Sequence, residues 1–161
     1  TGKTHRTVAH LIDLGIDNGA IDGKVLTANV SGITSLVVRD KDITDLTGLQ
    51  DFLSLTVLNC VKNKLTSLDI TKNTALVFLY CDSNQISSLD VSQNTALTNL
   101  VCDYNQISSL DVTKNTNLTY LSCSHNQIAG LDVTKNTALS TLICGYNQST
   151  NLYVSKNTAL T

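Results

Sequence analysis

Apolar residues in this chain return every 21 positions, and the polar residues between them keep the same spacing. Leu55, Leu76, Leu97, Leu118 and Leu139 form one column, and Leu58, Leu79, Leu100, Leu121 and Leu142 a second. Cys60, Cys81, Cys102, Cys123 and Cys144 form a third, and Asn63, Asn84, Asn105, Asn126 and Asn147 a fourth. One unit is complete in Leu76, Leu79, Cys81, Asn84, Ile86, Leu89, Asp90, Val91, Asn94 and Thr95. A unit this short cannot bury its own apolar side, so it coils and packs on copies of itself, which predicts a solenoid. The Leu-x-Cys stretch alternates with period two, as does a strand with one buried face. Strands of successive coils are then expected to pair in parallel, about 4.8 Å apart. The Asn after each strand marks an inward turn, where its amide satisfies backbone groups that water does not reach. Ile86, Leu89 and Val91, with their equivalents, line the return side of the core.

Toward the N-terminus the pattern loosens. Leu36, Val38, Ile43, Leu46 and Leu49 fit a 22-residue unit measured from Leu36 to Leu58, with Lys41 in the Asn column and Val38 in the Cys column. Residues 1–30 show no repeat. Val8, Leu11 and Ile12 stand at helical spacing and Gly15 supplies a stop, so a short helical cap over 1–30 is expected to close the open end of the core. The repeats then occupy 31–161. At the far end Ser149 replaces Ile and Tyr153 replaces Asp, and the chain stops at Leu160 and Thr161, where another strand is due. An uncovered core end is an association hazard, so truncation of a longer array is the favoured reading and self-association through this end the alternative.

The segment LTNLVCDYNQISSLDVTKNT, Leu97 to Thr116, resembles the cysteine-containing leucine-rich repeats of the internalin family and of repeat proteins exported by Bacteroidetes. The stretch from Ile33 to Cys60 is similar to the 22-residue internalin repeat, while LIDLGIDNG and VLTANVSGITSL resemble the N-terminal region of the Bacteroidetes proteins. The likeness covers roughly residues 11 to 160, and residues 1–10 depart from it. It implies an α/β solenoid, a right-handed leucine-rich repeat array of 21–22-residue coils. A parallel sheet would line its concave face, with irregular or short helical turns on the convex side. It also implies a bacterial adhesion or interaction module that is secreted or held at the cell surface.

Composition narrows the chemistry. A net charge of −2 offers no field for nucleic acid or an anionic membrane. No apolar run reaches the ~18 residues of a membrane span. The N-terminus has no secretory-signal core, and the absence of Met together with Thr1 suggests a processed or trimmed piece. Abundant Thr, Ser and Asn suit an extracellular surface. Five cysteines are an odd number at equivalent places on successive coils. Their Cβ atoms would lie about 4.8 Å apart, beyond the ~3.8 Å of a disulfide, so buried free thiols acting as small apolar fillers are expected. No C-x-x-C or Cys/His cluster suggests a metal, and no cofactor is expected. Asp69, Asp90, Asp111 and Asp132 form a carboxylate column that calcium could neutralise, but turn capping with partial pairing to Lys72, Lys114 and Lys135 explains it better. His5, His10 and His125 have no nucleophile or carboxylate pair beside them, so no enzyme is expected.

Between the constant Leu and Cys positions lie three variable columns: Val57, Phe78, Asn99, Tyr120, Thr141; Asn59, Tyr80, Val101, Ser122, Ile143; and Val61, Asp82, Asp103, Ser124, Gly145. With Tyr104 and Tyr146 just beyond, five of the seven aromatics gather along this sheet. Exposed aromatics on a rigid sheet suit a protein or glycan partner, so Phe78, Tyr80, Asp82, Asp103, Tyr104 and Tyr120 are the candidate binding residues. The competing explanation is that Tyr and Val simply have high strand propensity. A structural spacer without its own ligand is the alternative function. Ice binding by the Thr columns is a distant third, because those residues sit three apart in a polar turn.

Overall fold

The computed structural model describes residues 30–161. The expected helical cap lies outside the described residues except for Val30, which is buried against the core. Eight short strands follow: β1 (Ser35–Val37), β2 (Val57–Asn59), β3 (Phe78–Tyr80), β4 (Asn99–Val101), β5 (Tyr120–Ser122), β6 (Leu131–Asp132), β7 (Thr141–Ile143) and β8 (Leu152–Tyr153). Six of them make one parallel sheet in the order β1-β2-β3-β4-β5-β7, and β6 pairs with β8 separately. The register aligns the repeat columns. Leu36, Leu58, Leu79, Leu100, Leu121 and Leu142 stand side by side at the centre of successive strands. A short 3-10 turn occurs at Leu49–Asp51. Gly48 introduces it at φ 105, a conformation L side chains resist, and this turn lies in the 22-residue coil.

A single apolar cluster runs the length of the array, with Leu58, Leu79, Leu100 and Leu121 fully buried. Burial of each such side chain is worth roughly 1.5–3 kcal/mol. In the last coil Leu142, Cys144 and Leu160 are only partly buried and Leu152 is exposed.

The Asn after each strand forms the expected ladder. The Nδ2 of Asn84 donates to the carbonyls of Cys60 and Cys81, and that of Asn105 to those of Cys81 and Cys102. Each of these cysteine carbonyls thus receives two amides, one from its own coil and one from the next. The Oδ1 atoms accept backbone N–H groups of the preceding coil: Leu65 gives to Asn84, Ile86 to Asn105, Ile107 to Asn126 and Ile128 to Asn147. Asn63 accepts from both Lys41 and Ile43, the coil whose Asn position holds Lys41 thus giving two N–H groups to the next ladder rung.

A second ladder, of Asn73, Asn94, Asn115, Asn136 and Asn157, runs through the turn by which each coil returns toward the sheet. Asn94 Nδ2 donates to the carbonyls of Ile70 and Asn73, and Asn115 Nδ2 to those of Val91 and Asn94. Each Oδ1 in this column is buried with no hydrogen-bond partner. All five cysteines are free thiols, four of them buried. Burial pushes Cys60 and Cys123 up to about 12 and raises Cys81 and Cys102 well above the ordinary thiol value.

Candidate binding face of the sheet

Alternation along each strand turns one residue of every pair outward. Phe78, Asn99 and Tyr120 are register partners in one row, as are Tyr80, Val101 and Ser122 in the next. Phe78 and Tyr120 therefore flank Asn99 at about 4.8 Å per strand, close enough for large side chains to shelter one another. Phe78, Tyr80 and Tyr120 are half-buried as a result, and Tyr104 is 57% exposed.

The third row departs from simple exposure. Val61 and Ser124 of this row are buried, as is Ser122 of the row before it. Both carboxylate oxygens of Asp103 accept from the Ser122 hydroxyl, at 2.8 and 2.7 Å, and one also accepts the Ser124 backbone N–H. Asp103 is thereby clamped to the following coil. Asp82 has no such clamp from the next strand, because the residue in the place of Ser122 is Val101. Partial burial raises the Asp82 carboxyl above its ordinary value and the nearby Asp103 charge raises it further, while its own backbone N–H, Arg39 and the Ser83 hydroxyl oppose the change.

Immediately past this row the backbone enters the left-handed region at one rung in each 21-residue coil, at Lys62, Ser83, Tyr104, His125 and Tyr146, with φ between 52° and 58°, and the first coil does so at Asp40 and Asp42. Residues of this conformation leave the chain in equivalent directions, one rung per coil. Three successive rungs carry rings, and they stack: Tyr104 on His125 and His125 on Tyr146, each with centroids 4.2 Å apart and planes within 12°. His125 therefore belongs to this face rather than to an arbitrary surface position. The signal available in the sequence was its 21-residue spacing from both tyrosines.

The Asp column caps turns. Asp69 accepts the Thr71 backbone N–H and hydroxyl at 3.0 and 2.7 Å, and Asp90, Asp111 and Asp132 accept the N–H of Ser92, Thr113 and Thr134. These bonds hold all four carboxyls below the ordinary range, with Lys72, Lys114 and Lys135 adding a smaller effect at Asp69, Asp111 and Asp132. No group of His, Cys, Asp or Glu among the described residues is arranged to hold a metal ion. No helix among them is long and apolar enough to cross a membrane.

Comparison with solved structures decides the kinship. The functional domain of InlJ from Listeria monocytogenes, described as including a cysteine ladder, superposes with a TM-score of 0.71 at 39% identity over 84% of this chain. The chain is a leucine-rich repeat protein resembling internalin J. It spans 35% of that structure. Internalin C2 of L. monocytogenes shares the fold, at TM-score 0.66 and 22% identity over 94% of this chain and 79% of its own. So does the leucine-rich repeat protein LIC12759 of Leptospira interrogans, at TM-score 0.64 and 21% identity over 82% of this chain and 42% of its own. No family model and no curated protein matches the sequence.

Proposed function

We propose that this internalin J-like array is a non-catalytic protein-binding module of a secreted or cell-surface protein, and that it meets its partner with the outward face of the six-stranded sheet. The observation that carries this reading is the contrast between columns. The inward positions repeat Leu and Cys from coil to coil, whereas the two outward rows on the strands change at every strand and gather Phe78, Tyr80 and Tyr120 beside the Tyr104 stack. Large half-buried aromatics on a rigid sheet supply contact area at little cost in conformational entropy. Likeness to internalins supports an exported setting. So does the burial of the thiols, since a group held protonated and out of solvent resists oxidation.

The test compares the wild-type chain with a Phe78→Ser/Tyr80→Ser/Tyr120→Ser variant of verified fold against arrays of surface proteins and of glycans. Selective capture of a protein, lost in the variant, supports the reading. Capture of glycans alone would replace a protein partner with a carbohydrate one. Equal capture by both forms would move the contact to the turns, and capture by neither would favour a spacer.

A further inference from the structure

The ring stack ends abruptly. Tyr146, His125 and Tyr104 fill three consecutive rungs, but the next rung toward the N-terminus holds Ser83, whose backbone has the same left-handed geometry at φ 58 against 52 for Tyr104. A serine reaches no further than its hydroxyl. The Tyr104 face turned away from His125 consequently has no ring upon it, in keeping with the exposure of that residue. The two positions beside this gap are both acidic, Asp82 next to Ser83 and Asp103 next to Tyr104. Asp103 is already clamped by Ser122 and Ser124. Asp82 is not, and it lies half-buried against a like charge. Lys62 is exposed on the adjoining coil and Arg39 stands one coil further, where its charge is felt by Asp82, yet neither comes within ion-pair distance of Asp82 or Asp103.

We propose that the Ser83 rung is a slot for an arginine side chain of a protein partner, its guanidinium stacking on the open face of Tyr104 while Asp82 accepts its N–H groups. This rests on the sheet face being a protein-binding surface and names one contact within it. Three features select a guanidinium over other groups. The gap is a single rung, Ser83 between Lys62 and Tyr104, in a ladder whose next rungs hold stacked rings, which suits a planar occupant. It lies over the electron-rich face of a tyrosine that is already one end of a stack, which suits a weakly hydrated cation. A carboxylate stands at its base: the N–H of Asp82 itself and the Ser83 hydroxyl take part of its acceptor capacity, and the remaining lone pairs suit a forked donor. A lysine ammonium fits the charge but neither the plane nor the fork, and a neutral ring fits the plane but leaves Asp82 unanswered.

The experiment titrates the isotopically labelled chain with acetyl-Gly-Arg-Gly-amide, and with the Lys and Tyr counterparts, following backbone amide shifts. The Arg peptide is expected to move the amides of Asp82, Ser83 and Tyr104, and the Lys peptide to bind roughly fivefold more weakly or worse. Ser83→Tyr places a fourth ring on a rung whose geometry two tyrosines already adopt, and it should abolish the response with the melting temperature unchanged. Tyr104→Ser removes the platform and should abolish it too, while Asp82→Asn should weaken it. Equal shifts with Arg and Lys would overturn the proposal in favour of plain charge attraction. A stronger response to Tyr would overturn it in favour of a neutral ring, and a response that survives Ser83→Tyr would place the peptide elsewhere. Ser83→Tyr leaves Phe78, Tyr80 and Tyr120 untouched. An absent peptide response with partner capture intact therefore refutes the slot alone. A peptide response with no protein capture by the wild-type chain refutes the reading of the face.

Discussion

Two asparagines of the same coil, Asn105 and Asn115, look alike in the sequence and should differ sharply when truncated. Asn105→Ala removes the acceptor of the Ile86 N–H and three donations, to the carbonyls of Cys81, Cys102 and Asp103. The Cys81 and Cys102 carbonyls keep an amide each, from Asn84 and Asn126, and Asp103 keeps the Ser83 N–H. The Ile86 N–H keeps nothing. One orphaned buried donor at ~1–3 kcal/mol and three lost bonds at ~0.5–1.5 kcal/mol each put the loss at about 2.5–7.5 kcal/mol. Asn115→Ala also forfeits two donations, to Val91 and Asn94, but both carbonyls retain backbone donors, from the N–H groups of Asn94 and Leu97. It simultaneously removes a buried Oδ1 that had no partner. Losing two bonds and relieving one unsatisfied acceptor nearly cancel, leaving about 0–1 kcal/mol. Both truncations open holes of the same size, so that contribution drops out of the comparison. Urea unfolding of the two variants beside wild type, with unchanged m-values, measures the difference. If Asn115→Ala costs as much as Asn105→Ala, the Oδ1 column is satisfied and the reasoning fails.

Leu100→Ala should cost roughly 2–5 kcal/mol as a buried Leu truncation, and an unmoved unfolding midpoint would refute the assignment of the buried face. A thiol reagent applied to the native protein should titrate Cys144 first and leave Cys60, Cys81, Cys102 and Cys123 unreacted until denaturant is added; prompt reaction of all five would contradict their burial. The capped Asp column lowers its carboxyls in the folded state, so its stabilisation is complete above the unfolded carboxylate value of about 4 and fades as pH falls through the folded values. Acid titration of the melting temperature should accordingly be shallower in Asp111→Asn than in wild type, and parallel curves would remove that capping role.

The fold was legible because its core is periodic in chemistry. A Leu or Cys that recurs every 21 residues has one physical use, and each falls on the buried side of its coil. The first Asn ladder was legible for the same reason. The second was not, since spacing alone does not reveal that Asn94 and Asn115 donate without accepting. The candidate face was read in outline only. Left-handed positions usually announce themselves by Gly or Asn, but here they carry Lys62, Ser83, Tyr104, His125 and Tyr146, so the shared geometry that stacks three rings was hidden behind mixed chemistry. Asp82 and Asp103 likewise read as equals. What separates them is whether the next coil presents Val101 or Ser122, a contact 19 residues away from each acid.

The ladders also give the solenoid a direction of growth. The side-chain amides of Asn84 and Asn105 in one ladder, and of Asn94 and Asn115 in the other, reach back toward the N-terminus, into carbonyls of the coil laid down before. The backbone N–H left waiting in that earlier coil is answered only when the next Asn arrives, as Leu65 is by Asn84 and Ile86 by Asn105. Each coil is therefore a template for its successor and is itself finished by it. A chain emerging N-terminus first would offer each new coil a predecessor whose carbonyls and N–H groups already await it, wherever in the array folding begins.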